Sequence, residues 1–343
     1  MILCLSHTQD YYTIDIVQQA LQELGQDVYR LNTDEFSDQL TFCYTAAAAG
    51  PLSFTVQTRD RRFSSADITG VWYRKLWGIK PPPELDPQFQ SIFYQEYTTM
   101  RDLFFDALRQ VPWMNPIQQD HWIGGSKALQ LDLARQNGLD IPLSLFTNDP
   151  QQVEHFFHDT CKGQMITKLH GTLSRSMKGD SPFFPTTQVN AEDLQQLQGL
   201  PYCPMIFQEL IPKAYELRIV YVDGDFFTGK IDASGSERGR TDWRVASDIP
   251  LSWQPYELPG NVARSLHDMM QAMGLLFGAI DMIRHTDGRY LFLEVNPQGE
   301  WGMLQRDLGY PIGQTIARKL VARIPSTQTI NERNLSQTPK MTR

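Results

Sequence analysis

Three oxygen-bearing side chains, Asp281, Glu294 and Asn296, fall within GAIDMIRHTDGRYLFLEVNP over 278–297. Two carboxylates and a neutral amide oxygen make a hard donor set, which Mg²⁺ accepts when phosphate oxygens and water fill its other positions. The chemistry this suggests is nucleotide chemistry. An E-x-N triplet alone is commonly a solvated strand edge; the upstream Asp and the following Pro-Gln-Gly-Glu strengthen the metal reading. Lys168 precedes a Gly/Ser-rich loop over 170–180 that carries Ser174, Arg175 and Ser176. A compact ammonium beside such a loop suits phosphate, because loop N–H groups and hydroxyls can close over the anion. Arg244 lies in a polar loop over 240–244, where a guanidinium can hold a carboxylate or acyl phosphate by two parallel hydrogen bonds. Lys127 follows Gly-Gly-Ser, which is not the G-x-x-x-x-G-K-[ST] phosphate loop, and on its own reads as a surface lysine. His155 and His158 sit three apart with no third ligand nearby, so a solvated helix face explains them better than a metal pair. No G-x-S-x-G elbow or Cys/His signature offers an enzyme nucleophile.

The elements that must position these groups follow from periodicity. Val, Ile, Leu and Phe flank Thr286-Asp287-Gly288, which predicts a hairpin, since Asp-Gly supplies the positive φ of a tight turn. Alternation puts Glu294 and Asn296 on one face and Leu293 and Val295 in the core. Glu216 and Arg218, two apart on a strand over 216–222, share a face. Upstream, a strand over 2–6, a helix over 12–24 stopped by Gly25, and a strand over 28–31 predict a βαβ opening without the G-x-G-x-x-G of a dinucleotide site. Short antiparallel strands are expected over 40–44, 52–57 and 61–64, and a longer one over 71–76. Trp72, Tyr73, Arg74, Lys75 and Trp77 form either a core rim, the favoured reading, or a peptide-facing surface. Pro81 to Pro83 break the chain. Phe89, Ile92, Phe93, Tyr97, Met100, Phe104 and Leu108 then recur at helical spacing. A helix from Lys127 to Gly138, strands over 143–147, 164–169, 205–210 and 226–231, and helices from Pro150, over 261–273 and over 310–323 complete the α/β (α+β) pattern. Ala191-Glu192-Asp193-Leu194 opens a short helix whose acids fit its N-terminus.

At 343 residues with a net charge of −8, the chain is long enough for two or three subdomains. The acidic balance argues against a nucleic-acid or anionic-membrane partner. Cys4, Cys43, Cys161 and Cys203 show no CxxC spacing, and the Met1 start has no basic n-region, so a reducing cytoplasm is expected. The polar segment over 325–343 lacks apolar periodicity and is expected to be mobile.

The D…E-x-N-P pattern resembles the metal-binding end of the ATP-grasp ligases. VWYRKLW (71–77), LSRSMKG (173–179), YCPMIFQELIPKAYELRIVYVDG (202–224), TDWR (241–244) and GEWGMLQRDLGYPI (299–312) are similar to the ATP-grasp enzymes that cyclise microviridin-type ribosomal peptides. LSRSMKG and GEWGML are most like the lactam-forming branch. The resemblance extends to about residue 322. It implies an ATP-grasp fold behind a pre-ATP-grasp domain: 1–115, a central subdomain over 116–200, and a C-terminal one over 201–324. It implies ATP and Mg²⁺ as cofactors, with Asp281, Glu294 and Asn296 on the metal. Lys127, Lys168 and Arg218 would lie on the phosphates, and Ser174, Arg175 and Ser176 in the lid. Adenine would lie along Gln208, Glu209, Leu210 and Ile211, with Glu216 on ribose. Arg244 would orient the substrate carboxylate and Glu300 is a candidate base. Glu192, Asp193 and Gln196 would dock the leader of a precursor peptide; Gln196 departs from the asparagine of the family pattern. A homodimer is also implied. An ester-forming cyclase, an amino-acid-adding ligase and a non-catalytic leader-binding protein remain alternatives.

Overall fold

The computed structural model describes residues 1–46, 53–76, 78–170, 185–236, 239, 241–246 and 248–325. The chain divides into two compact units, Met1–Ile117 with Pro311 onward, and Gln118–Tyr310. No helix of the described residues is long and apolar enough to cross a membrane.

The first unit opens with β1 (Ile2–Ser6), α1 (Thr13–Glu23) and β2 (Val28–Asn32), the expected βαβ start, and Gly25 ends the helix region at φ +74°. β3 (Thr41–Thr45), β4 (Ser53–Gln57) and β5 (Arg62–Ser64) form the expected small antiparallel sheet. β6 (Gly70–Tyr73), α2 (Gln90–Ala107) and β7 (Trp113–Met114) follow. A four-stranded parallel sheet has the order β2-β1-β6-β7. Every residue of β1 is buried, which is why Ile-Leu-Cys-Leu reads as a continuous apolar run rather than an alternation. Trp72, Tyr73 and Arg74 are buried too, in line with the core reading; Trp77 lies outside the described residues. Helix α2 forms where its apolar stripe predicts, yet only Phe104 and Phe105 along it are fully covered, and Ile92 is 57% exposed.

The second unit begins with α3 (Ile117–Gly125), a helix ending in Gly124-Gly125 for which the sequence pattern predicts no element, and α4 (Lys127–Gln136). β8 (Ser144–Thr147), α5 (Pro150–His155), β9 (Met165–Lys168), β10 (Thr187–Val189) and β11 (Met205–Glu209) build an antiparallel sheet of order β10-β9-β11-β8. A 3₁₀ helix over Asp193–Tyr202, interrupted at Gln196, replaces the short helix expected there. β12 (Lys213–Val222), β13 (Asp225–Ile231), β14 (Gln254–Pro255), α6 (Gly260–Ala272), β15 (Phe277–His285) and β16 (Tyr290–Asn296) follow, their strands forming a sheet of order β14-β13-β12-β15-β16. Gly288 takes φ +99° in the predicted hairpin turn. One face of this sheet supplies Leu217, Ile219, Ile280, Met282, Phe292 and Val295 to a core shared with Leu131 of α4 and Leu266, Met269 and Met270 of α6.

Strict alternation in β16 does not hold. Asp281 pairs with Glu294 but Met282 pairs with Phe292, so Leu293 is an extra residue on the bulged strand. Leu293 packs with Ile211, Ile283 and Leu291 on the other face, while Val295 stays in the core. The expectation of Leu293 beside Val295 is therefore corrected. After α7 (Gly302–Leu308), α8 (Ile312–Arg323) packs on α1, β6 and β7 of the first unit, whereas the sequence division placed it with 201–324.

Candidate functional site

Pairing in the second sheet fixes the acid set. Asp281 on β15 is the register partner of both Glu294 on β16 and Arg218 on β12, and Ala279 faces Asn296. Neighbouring strands lie about 4.8 Å apart, so these side chains converge without help from a loop. Glu216 lies two residues before Arg218 on the same strand, and the two share the face as expected.

Asn296 donates from Nδ2 to Glu294 Oε1 at 3.2 Å, which turns its amide oxygen to act as an acceptor. Glu294 also accepts from the Lys127 ammonium. Burial opposes the charge on Glu294, but the ammonium groups of Lys127 and Lys168 outweigh it and hold the carboxyl down at about 2. Arg218 donates through Nη1 to both oxygens of Asp281, at 2.8 and 2.9 Å. Its Nη2 and Nε donate to the Glu300 carbonyl at 2.9 and 3.2 Å. Lys168 makes no hydrogen bond or ion pair from its ammonium among the described residues, and burial lowers its pKa to about 8. Glu294, Lys127, Asp281 and Arg244 all act on it electrostatically, so these five groups form one cluster.

The structure gives several expected residues further tasks. Glu300 accepts from the backbone N–H groups of Trp301 and Gly302 at 3.2 and 2.9 Å, which caps the start of α7. Gly299 is required at that bend, because a Cβ there would collide with Ala279 and crowd Arg218. Glu209 turns its carboxylate to the Leu143 N–H at 2.9 Å, and Gln208 is buried with its amide on Ser144. Leu210 N–H is bonded to Gln164, whereas the Ile211 N–H has no partner among the described residues. Glu216 is pushed up in pKa by burial and pulled back by Lys213, whose ammonium lies 2.6 Å away. Glu192, Asp193 and Gln196 are exposed on the 3₁₀ segment, and Asp193 accepts from the Asn190 N–H at 2.8 Å. Asp193 and Gln196 line an open, largely apolar groove of about 300 Å³ with Thr167, Lys168, Leu197 and Phe207. Ser174, Arg175 and Ser176 lie outside the described residues. His155 pairs with Asp159 on an exposed helix face, as the solvated reading expects.

Two supporting residues escaped the sequence. Asp242, almost fully buried, takes Arg244 Nε and Nη2 at 2.8 and 2.9 Å, the Arg244 N–H at 3.1 Å and the Thr186 N–H at 3.4 Å. The clamp leaves Nη1 of a half-exposed guanidinium unengaged among the described residues. Gln130, buried in α4, donates to the Val295 carbonyl at 3.0 Å and accepts its N–H at 2.9 Å. It thereby fixes the edge strand between Glu294 and Asn296. A polar residue on the buried stripe of α4 was the available signal for Gln130; only the TDWR spacing hinted at Asp242.

Among the described residues no group of three or more His, Cys, Asp and Glu side chains forms a metal site by itself. The donor set nevertheless fits a hard divalent cation, with two carboxylate groups and a turned amide oxygen beside cations suited to phosphate.

A family model described as the MvdD pre-ATP grasp domain matches residues 1–121. No curated protein matches the chain. The macrocyclase MdnC of Microcystis aeruginosa MRC, solved bound with precursor peptide MdnA, is 33% identical with a TM-score of 0.82, over 94% of this chain and 99% of that one. The macrocyclase MdnB of the same organism is 38% identical at a TM-score of 0.79, over 93% and 98%. A RiPP-associated ATP-grasp ligase of Chryseobacterium gregarium, in complex with ADP and a leader and core peptide, is 30% identical at 0.84, over 94% and 97%. The acid set, its ring of cations and these matches agree: the chain belongs to the RiPP-associated ATP-grasp ligases, the family of MdnB and MdnC, and is an enzyme of the carboxylate–amine ligase type.

Proposed function

We propose that the protein uses ATP to activate Asp or Glu side chains of a ribosomal precursor peptide and joins them to a lysine side chain, closing ω-amide rings of the microviridin type. The observation that carries this reading is the cluster in which strand register sets Asp281 opposite Glu294 and beside Arg218, with Lys127, Lys168 and Arg244 brought to the same carboxylates from other elements. Asp281, Glu294 and Asn296 would hold Mg²⁺, which supplies charge neutralisation on the phosphates. The apolar shelf of Ile211, Ile283, Leu291 and Leu293 would take the adenine face, the Ile211 N–H its edge, and Glu216 the ribose hydroxyls.

In the first step a peptide carboxylate oxygen attacks the γ-phosphorus and ADP leaves, forming an acyl phosphate. Lys127 and Lys168 stabilise the phosphate charge, while the open edge of Arg244 holds the carboxylate in line. In the second step a lysine amine, having lost its proton, attacks the acyl carbon, and phosphate departs as the amide forms. Glu300 is the candidate proton acceptor, although one of its oxygens already caps α7. Glu192, Asp193 and Gln196 would receive the leader. The reading extends to a cytoplasmic homodimer, each chain pairing a pre-ATP-grasp domain over 1–115 with two ATP-grasp subdomains over 116–200 and 201–324.

Mass spectrometry of a microviridin-type precursor after incubation with enzyme, ATP and Mg²⁺, alone and after prior ester formation, tests this. Each ring removes one water, and the link survives mild alkali. Alkaline reopening would replace the amide by an ester; no loss of water with any such precursor would favour amino-acid addition.

A further inference from the structure

Both metal-side carboxylates are already covered by cations belonging to the chain. Lys127 sits on Glu294 and Arg218 on both oxygens of Asp281, and all four side chains are at most 28% exposed. Lys168 adds a third positive group to the same cluster. Three cationic groups thus face two carboxylates, while the flanking Arg244 and Lys213 are each paired with an acid, Asp242 and Glu216, so the set is net positive before any ligand arrives. A bare divalent cation approaching it meets like charge at short range, which costs several-fold to many-fold in affinity in a partly buried site. Nucleotide reverses the sign: its phosphates offer Lys127 and Arg218 new partners and leave the carboxylates to the metal.

We infer that Lys127 and Arg218 are placeholder cations which occupy the divalent-metal site until nucleotide draws them away, so that metal binds only together with nucleotide. The inference rests on the proposed assignment of Asp281, Glu294 and Asn296 to the metal. It adds an order of assembly and gives both basic residues a second role, that of excluding free metal. The two are not equivalent. Arg218 is also tied to the Glu300 carbonyl by Nε and Nη2, so it can release Asp281 by giving up Nη1 alone, whereas the Lys127 ammonium has Glu294 as its single hydrogen-bond partner among the described residues. Lys127 is therefore the gate that moves and Arg218 the one that loosens.

Water-proton relaxation with Mn²⁺ separates protein-bound metal from metal on free nucleotide and needs no turnover. For the wild-type chain, relaxation enhancement is expected with ADP and not without it across the same Mn²⁺ range. Lys127→Met should bind Mn²⁺ without nucleotide about tenfold or more tightly than wild type, because one positive charge is gone; Lys127→Arg, which keeps the charge, should not. Arg218→Gln gives the second arm should Lys127→Met fail to fold, and should raise nucleotide-free binding likewise. Wild-type binding of Mn²⁺ without ADP within about threefold of that with ADP would overturn the inference while keeping the metal assignment. Unchanged nucleotide-free affinity in a folded Lys127→Met or Arg218→Gln chain would do the same. Absence of enhancement even with ADP would remove the metal assignment and this inference together.

Discussion

The site has a half built on strands and a half built on loops, and the two differ in what holds them. Asp281, Glu294, Asn296, Glu216 and Arg218 stand on β12, β15 and β16, where hydrogen-bonded register sets each position and Gln130 pins the edge. Arg244 stands on a loop, and its aim depends on one buried carboxylate, Asp242, which also reaches back to Thr186. A strand position is over-determined by its neighbours; a loop position is as good as its single anchor. Substitutions in the first half should therefore change chemistry without changing geometry, and those in the second should change geometry first.

Glu294→Gln gives the largest expected effect. It removes a donor of the proposed metal site and leaves Lys127 without its counter-charge, so ATP turnover should fall by more than ~100-fold, the upper end of what outer-shell changes cause, while melting temperature stays close to wild type. Near-normal ADP release from the folded variant would break the distinction at its strongest point. Arg244→Lys, which keeps charge but loses the fork, should lower kcat/KM for the peptide by roughly 10- to 100-fold and leave the KM for ATP almost unchanged; equal losses for both substrates would show that Arg244 serves the phosphates instead.

Asp242→Asn probes the anchor itself. Its carboxyl is held low because hydrogen bonds and charge from Arg244 outweigh the burial that favours the neutral form. Loss of that charge should cost about tenfold in peptide kcat/KM, with Asp242→Glu recovering part of it. A loss confined to ATP affinity would contradict the anchor role. The phosphate end offers a pH test of intermediate size. Burial depresses Lys168 to about 8, so its ammonium is present below that pH and lost above it. ATP affinity should accordingly weaken as pH rises from 7.5 to 9 by about an order of magnitude per unit at most, and a Lys168→Arg chain should show a flat profile. The smallest effect is expected at the exposed pair Glu192 and Asp193, whose charge reversal should weaken leader binding a few-fold with ATP affinity intact, as surface ion pairs contribute ~0–1 kcal/mol each; calorimetric titration with leader peptide reads it directly.

The same division explains what the sequence disclosed. Hairpin, turn glycine and acid set were legible because period-two patterning and Asp-Gly chemistry are local signals. The βαβ opening and the small antiparallel sheet were legible for the same reason. α3 was hidden by Gly124-Gly125, since tertiary packing can keep glycines helical against their propensity. The bare sequence gave Lys127 as a surface residue; only its partner 167 positions away places it at the site, and such pairings have no local signature. Asp242 and Gln130 share that difficulty. Helix α2 shows the converse, an apolar stripe that forms a helix while its first half stays open to solvent.

The extra residue at Leu293 acts as a parity device. In an unbroken alternation, a strand that turns Leu291 toward Ile211 and Ile283 would turn Glu294 to the opposite face, and the acids and the apolar shelf could not share a surface. The doubled position absorbs the odd step, so Leu291, Leu293, Glu294 and Asn296 all serve one side while Phe292 and Val295 serve the other. The segment between the shelf and the acids is thereby closed to single-residue insertion, which would transpose either the apolar shelf or the acid pair into the core. Length variation has to be displaced to the Thr286-Asp287-Gly288 tip, where an added residue alters neither count.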